Sequence, residues 1–137
     1  MIQGGCLCGG VRYRISGELE PIQLCHCQQC RKAQGTPFVS NIPLSRSQFE
    51  LLSGEGLLKA YASSPGKERV FCSHCGSPLY SQRSSDPEAI RLRAGSLDEA
   101  PDVRPAFHAY TASAANWWQI HDDLPQYAQA APPKPDA

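Results

Sequence analysis

Seven cysteines, at positions 6, 8, 25, 27, 30, 72 and 75, are the side chains of this sequence best able to do chemistry. They fall into three short-spaced groups, Cys6-Leu7-Cys8, Cys25-His26-Cys27-Gln28-Gln29-Cys30 and Cys72-Ser73-His74-Cys75. Thiols two or three residues apart are too close for easy mutual disulfides but well suited to converge on one metal ion. An odd number cannot all pair within one chain. Structural zinc thiolate sites have four protein ligands, whereas reactive ones keep three and leave a position to water or substrate. Seven divides into four and three. In the C-x-x-C of Cys72 and Cys75, Gly76 supplies the positive φ that such a knuckle often requires. Cys6 and Cys8, as i and i+2 of an extended segment, point the same way and form a second half-site. Joined, the halves close a four-cysteine site across a long loop, which stabilises the fold. Cys25, Cys27 and Cys30 remain as a three-thiolate cluster. Its fourth position is either open or filled by His26, His74 or His108 as a second closed site. A four-ligand and a three-ligand group in a small β domain fit zinc, two ions per chain, better than iron–sulfur clusters.

The elements that must position these groups read as mostly β. Val11, Tyr13 and Ile15 alternate with Arg12 and Arg14, and Ile90, Leu92 and Ala94 alternate with Arg91 and Arg93, the period of half-buried strands. Shorter strands are expected at 38–42, 57–61, 69–71, 79–81 and 107–110. Turns are expected at Ser53-Gly54, Ser64-Pro65-Gly66, Asp86-Pro87, Gly95-Ser96 and Pro101-Asp102. Helix is expected only over Gln28 to Gln34, stopped by Gly35, with a capping-box match at Ser45 and Gln48 that opens a single turn. Residues 1–127 read as one domain and 128–137, rich in proline and alanine, as a flexible tail. Trp117, Trp118 and Tyr127 read as a cap on the core.

Composition narrows the function classes. The chain has 137 residues, 41% hydrophobic and 19% charged, with 13 basic side chains against 13 acidic. That balance, without a basic run or aromatic-basic stripe, speaks against nucleic acid and anionic membranes as partners. Two cysteines stand where a signal peptide would carry an apolar run, and no stretch is apolar enough to span a bilayer. A reducing cytoplasm is the expected location.

With these motifs in hand, the sequence resembles the glutathione-dependent formaldehyde-activating enzyme family, also called the centromere protein V domain family. The resemblance runs from GGCLCGGVRY through LCHCQQCRKAQGTPF and SSPGKERVFCSHCGSPLY to RPAFHAY, NWW and DDLPQY, about residues 3 to 127. It implies an Mss4-like β-tent fold of small antiparallel sheets with zinc knuckles. It also implies a structural zinc on Cys6, Cys8, Cys72 and Cys75 and a more labile, catalytic zinc on Cys25, Cys27 and Cys30. The reference reaction of the family is the reversible addition of the glutathione thiol to formaldehyde, a carbon–sulfur lyase or synthase chemistry.

Zinc suits that reaction because it deprotonates a coordinating thiol outright and polarises a carbonyl. A zinc on three thiolates is itself anionic, so a thiolate substrate needs nearby cations. Arg31, Lys32, Lys67 and Arg69 flank the ligands and are the candidate substrate contacts, with arginine able to clamp a glutathione carboxylate. The alternative is that they are solvated surface charges. His26, between two ligands, should project away from the sulfurs, and His108, in a strand-like stretch, is a candidate to face either site. Two rival readings stand beside the enzyme: a non-catalytic zinc-ribbon-like protein-binding module, and a methionine sulfoxide reductase relative, which needs a cysteine free of metal.

Overall fold

The computed structural model describes residues 1–133. A small antiparallel sheet is built from β1 (Ile2–Gly5), β2 (Arg12–Ile15) and β5 (Phe49–Ser53), with β2 in the middle. The large sheet contains β3 (Ile22–Cys25), β4 (Val39–Ser45), β6 (Leu58–Ser64), β7 (Lys67–Cys72), β8 (Pro78–Arg83), β9 (Asp86–Arg93) and β10 (Pro105–Ala109), in the order β10-β3-β4-β9-β8-β7-β6. Every pairing in both sheets is antiparallel except β10 with β3, which is parallel. That exception follows from the chain path: β10 arrives from the far end of the sequence and lies against the outer edge of β3, free of the hairpin constraint that makes sequential strands antiparallel. Among the described residues no helix is long and apolar enough to cross a membrane.

The core lies between the two sheets. Val11, Tyr13 and Ile15 from the small sheet meet Ile42, Leu44, Ile90 and Leu92 from the large one, with Cys6 and Cys72 at one end of the cluster. The period-2 alternation at 11–15 and 90–92 is thus the inward face of β2 and β9. Burial pushes the Tyr13 phenol up to about 12, against the favourable hydroxyl of Ser96 at 2.5 Å. A raised folded-state value means that the neutral phenol is preferred in the fold. This contribution is complete below the unfolded value of about 10 and is lost as pH rises toward 12. Alkaline titration at 295 nm should therefore show Tyr13 ionising together with unfolding, after the exposed tyrosines. A full tyrosine step near pH 10 in a protein that stays folded would contradict this.

The helix α1 (Gln28–Gln34) has the expected bounds, with Gly35 in the left-handed region at φ 67° as its stop. The Ser45–Gln48 capping box opens a single 3₁₀ turn over Arg46–Gln48. Three expectations change. The turn placed at Asp86-Pro87 is a two-residue turn at Ser84-Ser85, because Arg83 pairs with Asp86 and Pro87 sits in the irregularity that follows. Strands β1 and β3 lie outside the sequence expectation: β1 reads IQGG, half of it glycine, and β3 reads IQLC, which does not keep an apolar–polar alternation to its end. Trp117 and Trp118 do not cap the core: both are exposed, and Trp118 only meets the edge of Phe38, with ring centroids 6.4 Å apart. Tyr127 does pack, edge-on to Phe107. Beyond it, the carbonyls of Ala128 and Gln129 accept hydrogen bonds from Ala112 and Tyr110. Residues 134–137 of the expected tail lie outside the described residues.

Candidate metal centres

Four thiols, Cys6, Cys8, Cys72 and Cys75, have sulfurs all within 4.8 Å of one another. The Cys6-Cys8 half is a turn rather than the expected extended segment. In it Cys6 Sγ accepts from the Val11 N–H at 3.2 Å and Cys8 Sγ from the Gly10 N–H at 3.5 Å. The second half is a knuckle at the end of β7, where Gly76 at φ 79° lets its N–H reach the Cys72 carbonyl at 2.7 Å. Ser77 Oγ lies 3.2 Å from Cys75 Sγ and accepts from the Leu7 N–H, so one hydroxyl ties the halves together. Tetrahedral zinc with bonds of about 2.3 Å spaces its sulfurs about 3.8 Å apart; Cys8 Sγ and Cys72 Sγ are 3.9 Å apart. The titration pattern is that of a crowded thiol set. The Ser77 hydroxyl and the Cys8 backbone draw Cys75 down to about 5. Cys8, helped by the Gly10 N–H, is nonetheless pushed up to about 11 by Cys6, desolvation and Cys75. Four thiolates share this space only with a cation among them.

Cys25 ends β3, Cys27 caps α1 and Cys30 lies in its first turn; their sulfurs form the second group, again within 4.8 Å. The Cys30 N–H donates to Cys27 Sγ at 3.4 Å, which is the helix N-cap bond itself, so capping and ligand placement are one feature. Hydrogen bonds from Cys25 and Cys27 hold the Cys30 thiol far below the usual range, and hydrogen bonds with Cys27 and Cys30, then burial, raise Cys25. The chemistry of the donor set fits zinc at both groups, and together they take all seven cysteines.

No histidine joins the three-thiol group. His26, fully buried, projects away from the sulfurs as expected but meets His108: its Nε2 is 2.8 Å from His108 Nδ1, and His108 Nε2 is 3.0 Å from the Asp122 carboxylate. The Asp122 carboxylate, drawn below its usual range chiefly by His108, can only accept. His108 Nε2–H therefore donates to Asp122, and one proton lies between His26 Nε2 and His108 Nδ1. Burial, and then His108, lower the pKa of His26 and keep it neutral. The backbone repeats this anchoring, with the His26 N–H bonded to the Ala109 carbonyl at 2.9 Å. No local pattern could have revealed that contact, since His26 and His108 are 82 positions apart.

Of the candidate substrate contacts, Arg69 brings its side chain to a ligand sulfur, its Nη2 lying 3.7 Å from Cys30 Sγ, while Arg31 meets Cys27 only through the backbone. Lys67 lies in a neighbouring depression with Arg46 and Arg83, its pKa lowered by burial and then by Arg69. Arg31 and Lys32 line a shallow hollow with Trp117. The cleft that reaches the three-thiol group does so at Cys25. It measures about 550 Å³ and is lined by Asn41, Arg83, Arg91, Tyr110 and residues 130–133 among others. Arg83, Arg91 and Arg93 escaped the sequence reading. Arg91 and Arg93 were visible as a pair on one face of a strand, but nothing local says what covers that face.

A mainly β domain with two sheets and two cysteine groups, one of four and one of three, that could hold metal ions is an Mss4-like architecture. The chain belongs to the glutathione-dependent formaldehyde-activating enzyme family, whose model matches residues 1–113. It is 30% identical over 128 residues to a Halomonas elongata protein named for glutathione-dependent formaldehyde activation, a match covering 88% of this chain and 81% of that one. An uncharacterized lyase of Schizosaccharomyces pombe is 35% identical over 78 residues, 57% of this chain, which thus spans 55% of that relative. The crystal structure of a Rhodobacter sphaeroides protein shares the fold with a TM-score of 0.61 at 23% identity, covering 77% of this chain and all of that one.

Proposed function

We propose that the chain is a zinc-dependent carbon–sulfur lyase or synthase that adds a small thiol, glutathione or an analogue, reversibly to an aldehyde such as formaldehyde. The observation that carries this reading is the three-thiol group without a histidine partner, opening through Cys25 onto a cleft lined by two arginines. A zinc ion bound by Cys25, Cys27 and Cys30 would hold a fourth sulfur as thiolate at neutral pH. In the reaction the sulfur bonds to the carbonyl carbon, the C=O π pair moves to oxygen, and that oxygen takes up the proton the thiol gave up. The chain's own contribution is to bind and orient: Arg83 and Arg91 suit carboxylates of a peptide thiol, bidentately where the approach allows. Cys6, Cys8, Cys72 and Cys75 would hold a second, structural zinc, giving two ions per chain in a domain of residues 1–127 with a tail after it. Seven thiols kept for metal suit a reducing compartment, the cytoplasm.

The methionine sulfoxide reductase reading needs a free cysteine, and the two groups absorb all seven. The test is zinc X-ray absorption with and without glutathione, alongside exchange of glutathione with its hydroxymethyl adduct by NMR. One oxygen neighbour of zinc should be replaced by sulfur, and exchange should be faster than in zinc-stripped protein at equal concentration. Unchanged coordination and equal exchange would leave a non-catalytic zinc-ribbon-like binding module.

A further inference from the structure

Arg69 and Arg93 are buried, 8% and 6% exposed, and a guanidinium stays charged wherever it is placed. Burying an uncompensated charge is costly, so each should face an anion. Neither forms an ion pair with a carboxylate among the described residues, whose ion pairs include Arg12–Asp98, Arg14–Glu50 and His108–Asp122. The partners of Arg93 Nη1 are neutral, namely Asn41 Oδ1, Ser81 Oγ at 3.4 Å and the Arg91 carbonyl at 3.3 Å. Arg93 Nε and Arg69 Nε and Nη1 have no hydrogen-bond partner among the described residues. Among the described residues, the thiol cluster is the group that Arg69 Nη2 touches, at Cys30, and Cys30 and Cys25 also act electrostatically on Arg93.

Strand register explains why both arginines gather there. Directly opposed residues of paired strands project from the same face. Gln23 opposes Asn41, Asn41 opposes Arg93, and Arg91 opposes Ser81, which opposes Arg69. Cys25 is two residues from Gln23 on β3 and Arg93 two from Arg91 on β9, so all of them share one face of the large sheet. That face carries Cys25, Arg93 and Arg69 in one polar layer, opposite the apolar core.

We infer that Arg69 and Arg93 select the charge of the fourth ligand at the three-thiol site, favouring an anionic donor over a neutral one. The inference rests on the proposal that this group holds a divalent metal. A dication on three thiolates carries a single negative charge and balances only one of the two guanidiniums. An anionic fourth ligand makes the complex a dianion and balances both. Water, imidazole or a thioether leaves one buried cation unmatched. The substrate class that fits is a thiolate, and the selectivity arises from the chain's interior charge rather than from contacts to the rest of the substrate.

The experiment loads the full chain with cobalt(II) and follows the visible bands of the open site while titrating three probes. Azide and imidazole are both nitrogen donors but differ in charge, and 2-mercaptoethanol offers a thiolate without a carboxylate for Arg83 or Arg91. Wild type should bind azide more tightly than imidazole. Arg69→Gln and Arg93→Gln should each weaken azide and 2-mercaptoethanol about tenfold or more while imidazole changes less than threefold, and Arg69→Lys should recover most of the loss. Melting temperature and cobalt content are read on every variant. Should the glutamine variants fail to fold, the wild-type order of azide and imidazole decides. Imidazole binding as tightly as azide in wild type, or all probes weakening together in the variants, overturns the inference while leaving the proposed function standing. A chain that takes up no cobalt at Cys25, Cys27 and Cys30 overturns both.

Discussion

Cys72→Ser is expected to remove cooperative unfolding from the thermal melt and to leave protein that binds no zinc at the four-cysteine group. Cys72 is fully buried at the junction of the core and the site, and its own backbone closes the knuckle through hydrogen bonds to Ser77 and from Gly76. The thiol it contributes joins segments 64 positions apart, since its sulfur faces Cys8. Closing so long a loop in the unfolded chain is entropically unfavourable, and metal binding supplies the compensation. Structural zinc sites of this kind contribute on the order of 10 kcal/mol of apparent binding free energy to folding, comparable with the whole stability of a small domain. A serine hydroxyl does not replace a thiolate at zinc, and the three remaining thiols would be left crowded without their cation. Circular dichroism melts combined with elemental zinc analysis check the result. A variant melting within a few degrees of wild type would show that the site is dispensable to folding.

Cys27→Ser is expected to do the opposite: a folded protein that keeps one zinc and loses the second. Cys27 is half-exposed and stands at the N-cap of α1, where its sulfur accepts the Cys30 N–H. Serine is among the best N-cap residues, so the hydroxyl takes over that bond and the fold should change by no more than about 1 kcal/mol. Only the ligand is lost. Affinity at the three-thiol group should fall by more than about a hundredfold, the upper end of what even supporting residues contribute at metal sites. Glutathione exchange with its hydroxymethyl adduct should drop to the rate of zinc-stripped protein. Two zinc ions retained, or wild-type exchange with one, would remove the three-thiol group from the reaction. The contrast between the variants matters more than either alone, because equal disruption by both would make both groups structural.

The division of the cysteines was readable in one dimension because each half-site is a short-range object. A C-x-x-C followed by glycine or a C-x-C before two glycines makes its geometry from a few backbone dihedrals, and those are set by the residues concerned. The same holds for α1, whose start is the Cys27 cap and whose stop is Gly35, and for the 11–15 and 90–92 alternations that mark β2 and β9 as core-facing. Strands β1 and β3 were illegible because IQGG offers only two side chains and IQLC breaks its alternation at Leu24-Cys25, whereas β2, equally short, continues the alternation that starts at Val11.

Which candidate cations lie at the three-thiol group was decided by the tertiary structure, and for a definite reason. Arg31, Lys32, Lys67 and Arg69 were candidates by adjacency to ligands in the chain, yet adjacency along a helix or a strand sends neighbouring side chains to different faces. Arg69 brings its side chain to a ligand sulfur, whereas Arg83 and Arg91 line the cleft at Cys25 from strands far along the sequence.

By itself the sequence determined which atoms are available for metal, how they divide, and that the scaffold is β, because those properties are local to a few residues or to one strand face. Only the tertiary structure decided which faces are covered. Arg93 has the same alternation as Arg91, yet Arg93 is buried and Arg91 is exposed. His26 has a buried partner because β10 lies parallel to β3. Burial and partnership depend on elements brought together from opposite ends of the chain, and the free energy of a charge depends on what surrounds it more than on its neighbours in sequence.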